Sequence, residues 1–405
     1  MSYIYVRLNT CYRAALKDFY NKNSFVSTLS YDAHLKQLMS QCYGEADFYE
    51  KNLRSLGVDA YTLISNDVVL QNKWAEEHQL KDAHKLDIII AQLKELKVEV
   101  LHVMDFAEVN QTWLTTLKEQ IPSLKLILGF CCAPYSEETL KLFSYCDCVI
   151  ICSDAFKMPL EKKGIQTFEI NHGFETSLLK LIPSVTQEID ISFIGSIVSG
   201  KNFHHQRKEI LEALVAQNVK FDFYGNIATY PLWKGIAWDA LHPICKTLRC
   251  IDFLNLTSNK DSINKIIYGS RPESMIVSKG LYQNLRTPVF GIEMYRLLAK
   301  TKISLNTHGD IVPLHAANMR LFEATGVGSC LLTDWKPNIE KFFKDGEECV
   351  TYKTADECVQ KIKWLQQYPE QRETIAKNGQ KRCLQDHSIE KRALQLHQMI
   401  LQKLE

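Results

Sequence analysis

Short apolar runs separated by amphipathic stretches set the pattern of this chain. Runs at residues 25–28, 60–64, 98–106, 124–129, 149–152 and 167–170 have the length of buried strands. The residues before 25 read as a polar, helical lead-in. Phe48, Tyr49, Leu53 and Leu56 recur at helical spacing, and Gly57 follows as a left-handed helix cap. Strands alternating with helices over this length predict a parallel, doubly wound sheet. The pattern then restarts. A strand over 190–194 stops at Gly195 and Ser196, a helix covers 206–216, and a strand over 219–224 is closed by Gly225 and Asn226. Residues 227–272 lack clear periodicity and are rich in aromatics, Asn, Ser and Lys, which reads as an insertion forming a partly helical lid. Alternation resumes near Tyr282 and runs to Tyr352. The tail from 355 to 405 is helical, with Trp364, Leu365, Leu394, Leu396 and Ile400 as packing residues. These periods predict an α/β domain over 1–187, a second over 188–388 with its insertion, and a closing helix over 389–405. The polar residues 183–188 join the two domains.

Composition narrows the class. The 405 residues exceed one ordinary core and suit two domains of roughly 150–200 residues each. A formal net charge of +1 gives no support for a broad nucleic-acid surface. No apolar run approaches the ~20 residues that span a bilayer, and no basic amphipathic helix demands a membrane surface. The start lacks the apolar segment and cleavage site of a signal peptide, so the expected compartment is the cytoplasm. The 13 cysteines are scattered, several inside apolar runs, with no C-x-x-C pair. They read as buried thiols, neither a disulfide framework nor a metal site.

The chemistry concentrates between residues 303 and 334. Ile303 and Leu305 mark one buried strand, and Cys330, Leu331 and Leu332 mark the next. Between them lie Asn306, His308, Asp310, His315, Asn318, Arg320 and Glu323. Polar groups between two buried strands of an α/β sheet belong at the carboxyl ends, where such sheets bind ligands. Arg320 and Glu323, three apart at a helix start, can share one face. The N–H groups there, at Leu321 and beyond, favour phosphate, as does a guanidinium. A carboxylate three residues on suits sugar hydroxyls. Gly326 and Gly328 permit a tight turn. An ordinary helix with an Arg/Glu pair and a glycine cap is the alternative reading of these residues.

From Asn318 to Ile362 the chain resembles the C-terminal signature of GT-B glycosyltransferases, and is most similar to the spore-maturation-type branch. The resemblance rests on Arg320, Phe322 and Glu323, on Gly326 to Gly328, on Leu331 to Asp334, and on Asp345-Gly346-Glu347-Glu348 with Tyr352. Gly291, Glu293, Tyr295 and Asn306 also fit, and the match covers roughly residues 285–395. It implies two facing Rossmann-like domains with the active site in the cleft. The second domain would hold a nucleotide-sugar donor, and the first a glycan, lipid-linked or protein acceptor. Glu323 would contact the donor ribose. Arg320, Asn306 and the backbone at Gly195 and Ser196 would contact the phosphates, with His308, His315 and Asn318 nearby. Related retaining families carry a second Glu eight positions earlier, where this chain has His315; the stereochemical outcome therefore stays open. The fold implies no catalytic metal, and no D-x-D motif occurs.

On the acceptor side, Gly44 precedes a helix, with Glu45 and Asp47 at the cleft mouth. Asp47, Asp105 and His172 are candidates for a general base, each also explicable as a surface or capping residue. His204, His205 and Arg207 could bind phosphate or be a solvated helix start. Three functions fit these residues: a glycosyltransferase, a sugar-nucleotide epimerase or hydrolase on the same fold, and a non-catalytic binding module. Membrane contact would be peripheral at most.

Overall fold

The computed structural model describes residues 2–182, 185–198, 205–228, 232–251, 275–308 and 314–405. The first half builds a parallel sheet of β1 (Ile4–Asn9), β2 (Asp59–Ile64), β3 (Val100–Val103), β4 (Leu126–Cys131), β5 (Cys148–Ile151) and β6 (Thr167–Glu169). Its strand order is β2-β1-β3-β4-β5-β6. Five of these strands lie where the apolar runs predict them. The first does not. Residues Ser24–Thr28 form a 3-10 turn that buries Val26, and the sheet begins at Ile4. Tyr3 and Tyr5 pack into one layer, and Val6 and Leu8 into the other. Arg7 interrupts the apolar run yet is 2% exposed, so its charge conceals a central strand. Asp47 precedes the helix Phe48–Ser55, and Gly57 caps its far end with φ +83°.

The second half builds β7 (Ile189–Ile194), β8 (Ile197–Val198), β9 (Asp222–Tyr224), β10 (Ile227–Ala228), β11 (Leu285–Arg286), β12 (Thr301–Leu305), β13 (Cys330–Asp334) and β14 (Val350–Tyr352). Six of them form a parallel sheet in the order β11-β9-β7-β12-β13-β14, while β8 and β10 pair with each other. The restart of the pattern near residue 188 is therefore a second sheet. Within the 227–272 insertion lies the helix Leu232–Ile251, with Pro243 inside it; residues 229–231 and 252–272 lie outside the described residues.

Three helices close the chain: Ala355–Gln367, Pro369–Asp386 and Ile389–Leu404. Leu365, Leu396 and Ile400 are buried, but Trp364 and Leu394 are exposed. Both stand on the outward face of their helices, where Trp364 meets Tyr368. The last helix returns to the first sheet. The Tyr3 hydroxyl lies 3.0 Å from His397 Nδ1, and Arg392 Nε donates to the His172 carbonyl at 3.2 Å. Phe174 N–H donates to the His387 carbonyl, and Ile389 N–H to the Phe174 carbonyl. Gly326 sits beneath this crossing, where a Cβ would lie 2.2 Å from the Phe174 ring. The need for glycine at 326 is therefore close packing, whereas Gly328, at φ +87°, makes the turn. No helix among the described residues is long and apolar enough to cross a membrane.

Candidate functional site

The parallel sheet brings the polar residues of the 303–334 stretch to one edge. Asn306 follows β12, and its N–H donates to the Leu332 carbonyl while its carbonyl accepts from the Tyr352 hydroxyl at 2.7 Å. Its amide donates to Thr333 Oγ1 at 2.9 Å and exchanges hydrogen bonds with the Asn318 amide. His308 N–H and Nδ1 lie 2.8 and 2.6 Å from Asp334 Oδ1. Lys336 Nζ lies 3.1 Å from the other oxygen. Burial alone would raise the Asp334 pKa, but His308 and Lys336 outweigh it and hold the carboxyl at about 2. His308 Nε2 is buried without a hydrogen-bond partner among the described residues. Such an orphaned atom at a strand end is a candidate ligand contact.

Arg320 opens the helix Arg320–Gly326, and its Nη1 pairs with Glu323 Oε2 at 2.6 Å. The same nitrogen lies 3.0 Å from Met294 Sδ, and Nε is buried without a partner among the described residues. The side chains are 16% and 8% exposed, so the pair is shielded from solvent yet not sealed. The helix start differs from the sequence expectation. The N–H groups of Leu321, Phe322 and Glu323 already donate to the Asn318 and Met319 carbonyls, because the turn begins before Arg320. The charge this segment offers a phosphate is therefore the guanidinium and not those amides.

At the end of β7, Gly195 N–H donates to the Tyr224 carbonyl, and Arg207 Nη1 donates to the Ser196 carbonyl at 3.2 Å. A Cβ on Gly225 would lie 1.6 Å from the Gly195 carbonyl oxygen, so this crossing needs glycine. His205 begins the helix His205–Ala216; His204 and Asp310 lie outside the described residues. His315 points across to the first half. Its Nε2 lies 3.0 Å from Asp154 Oδ1, and Lys341 Nζ reaches the other oxygen at 2.6 Å. Asn338 holds this loop by bracketing the Ala316 N–H and carbonyl.

In the first half the structure joins residues that the sequence does not link. Glu45, 9% exposed, accepts from Arg7, which in turn lies over the Tyr49 ring at 4.4 Å. Its other oxygen lies 3.2 Å from His172 Nδ1. Burial would raise the Glu45 carboxyl, but Arg7 and His172 hold it well below the usual carboxylate range. Asp47, two residues on, pairs instead with Lys51 at 2.8 Å. Asp105 accepts from Thr10 Oγ1 at 3.0 Å and from Ala107 N–H at 2.9 Å, so its place is a turn cap. His172 Nε2 lies 3.1 Å from Cys132 Sγ. Cys132 is disulfide-bonded to Cys152, which corrects the reading of all cysteines as free thiols. These residues follow adjacent strands, a proximity that a separation of 20 in sequence does not reveal. Most of the other cysteines are unpaired and buried. Tyr12, after β1, is 73% exposed and meets Tyr43, whose ring in turn meets Phe290 of the second half. No sequence signal marks this aromatic row, because Tyr12 lies in the segment read as a lead-in.

The comparisons with known proteins agree with this architecture. Residues 206–398 match the family model described as glycosyl transferase-like. No curated protein sequence matches the chain. Among solved structures, a glycosyltransferase from Rickettsia africae ESF-5 is similar over 100% of this chain and 99% of its own, with a TM-score of 0.55 at 12% identity. Anabaena HepE in complex with UDP-glucose is similar over 99% and 100%, with a TM-score of 0.56 at 12% identity. The sucrose-phosphate synthase of Thermosynechococcus elongatus is similar over 99% and 98%, with a TM-score of 0.51 at 13% identity. Two parallel six-stranded sheets with flanking helices give the chain the GT-B fold of these structures, and its second half matches the glycosyl transferase-like model.

Proposed function

We propose that this chain is a glycosyltransferase that holds a nucleotide-sugar at the carboxyl edge of the second sheet and passes the sugar to a glycan, lipid-linked or protein acceptor over the first. The observation that carries this reading is the Arg320–Glu323 pair, shielded from water, with Arg320 Nε left without a partner among the described residues. A guanidinium in that state is suited to take up phosphate oxygens as the glycosyl–phosphate bond breaks. Glu323 would then turn to the donor ribose. Arg207, beside Gly195 and Ser196, adds a second cation toward the diphosphate. Asn306, His308 and Asn318 line the floor, with Leu321 anchoring the helix start from the core and His315 at its rim. On the acceptor side, Asp47 is the proposed base for an incoming hydroxyl, and Tyr12 supplies a ring face. His172, with a neighbour at each ring nitrogen, shapes the acceptor side and is not the proposed base. The reaction so written uses no organic cofactor and draws its cationic charge from arginine. We place the enzyme in the cytoplasm, a reading favoured by its many unpaired cysteines.

HepE's complex with UDP-glucose makes UDP-sugars the first donors to test. Thermal shifts with UDP-, GDP-, dTDP- and CMP-sugars identify the nucleotide. A true donor at about 100 Kd adds about 2.7 kcal/mol of stability. No shift with any of the four would remove the donor assignment.

A further inference from the structure

The topology places three metal-ligating side chains at consecutive strand ends of the first sheet. Cys132 directly follows β4, Cys152 directly follows β5, and His172 comes shortly after β6. Their sulfur and nitrogen atoms all lie within 4.8 Å of one another. His172 is already oriented as a metal ligand would be. Its Nδ1 faces the Glu45 carboxylate at 3.2 Å, and its Nε2 faces Cys132 Sγ at 3.1 Å. A carboxylate on one ring nitrogen sets the tautomer and turns the other nitrogen's lone pair outward. Glu45 is itself held by buried Arg7, and the His172 carbonyl by Arg392, so the residue is held through both its ring and its backbone.

We propose that, when Cys132 and Cys152 are reduced, these two thiolates and His172 Nε2 form a zinc site, and that the disulfide is its metal-free state. Two thiolates and an imidazole suit zinc, and three protein ligands leave a fourth position for water. The Cα atoms of the cysteines are 5.3 Å apart, so side-chain rotation alone separates the sulfurs to admit the ion. Zinc uptake releases the two thiol protons. The reverse step needs a small-molecule disulfide as oxidant. One cysteine thiolate attacks it and expels a thiolate, forming a mixed disulfide. The second cysteine attacks the first one's sulfur and expels the other thiolate. Two electrons leave the protein, the oxidant becomes two thiols, and zinc departs. Sequence spacing shows no metal motif because the ligands follow three different strands and do not share one loop.

The test uses the full chain, reduced anaerobically with a phosphine, freed of reductant and titrated with cobalt(II) as the probe for zinc. The expected result is one equivalent bound with a thiolate-to-cobalt charge-transfer band. The band is lost in the Cys132→Ser/Cys152→Ser variant, and affinity falls at least tenfold in His172→Ala. Unreduced protein shows no band. A parallel measurement needs no variant: zinc should protect Cys132 and Cys152 of the reduced wild-type chain from alkylation at least tenfold, read by peptide mass spectrometry. Absence of the band in reduced wild-type protein, its persistence in the double variant, or equal alkylation with and without zinc would each overturn the proposal.

Discussion

Arg320 and Glu323 form an ion pair across one helical turn, with Nη1 and Oε2 2.6 Å apart and both side chains largely withdrawn from water. An arginine held this way is pre-oriented, so little freedom is lost when phosphate arrives. Replacing Arg320 by Ala should lower kcat/KM for transfer by at least 100-fold, on the scale of about 3 kcal/mol for a lost charge-assisted contact to developing charge. The Arg320→Lys variant should recover only part, since an ammonium cannot form the planar fork. Steady-state kinetics with the nucleotide-sugar found by thermal shift measure both.

Acid stability follows from Asp334. Its carboxyl is held near 2 in the folded chain, against an ordinary 3.8. A folded-state pKa below the unfolded one stabilises the protein above the unfolded value and loses that contribution as pH falls through the folded one. Asp334 should therefore contribute roughly 2 kcal/mol at neutral pH, lost between about pH 4 and pH 2. Glu45, also depressed, acts in the same direction. Urea unfolding between pH 7 and pH 2 should show a steep acid limb that flattens in Asp334→Asn. An unchanged limb contradicts the assignment.

The Arg7–Glu45 pair is buried, with Arg7 on the interior strand β1 and Glu45 in the turn before the helix Phe48–Ser55. Removing one member leaves an uncompensated charge in the core, which costs about 3–5 kcal/mol. Glu45→Ala and Arg7→Ala should each lower stability by that order, while replacing both by apolar residues should recover much of it. Denaturant midpoints of the two single variants and the double variant form the cycle that decides this.

The two halves meet closely at Gly291, where φ is +54° and a Cβ would lie 2.0 Å from the Gln41 carbonyl oxygen. The Ile292 N–H donates to that same oxygen at 2.7 Å. Gly291→Ala should destabilise the chain by more than about 1 kcal/mol, since both backbone strain and the clash oppose it. Calorimetry of the variant checks it; a melting temperature equal to wild type contradicts the contact.

Much of the fold is legible in hydropathy. Strands β2 to β6 and the restart at β7 follow apolar runs, because parallel strands covered on both faces are continuously hydrophobic. β1 is not legible, since Arg7 breaks its run and only the distant Glu45 explains why a charge is tolerated there. The second-sheet polar residues are legible as a group, being local in sequence between two strands. The Arg7–Glu45–His172–Cys132 chain is not, because its members come from segments of the first half far apart in sequence. Amide availability at residues 321–323 also escapes the sequence, since it depends on where the turn before Arg320 begins.

The central claim is that the second sheet's carboxyl edge binds the donor through Arg320. Calorimetric titration of UDP into the wild-type chain and into Arg320→Ala tests it most directly. One equivalent should bind wild type, with affinity at least tenfold weaker in the variant and an unchanged melting temperature without ligand. Equal affinity in a folded Arg320→Ala variant would contradict the account.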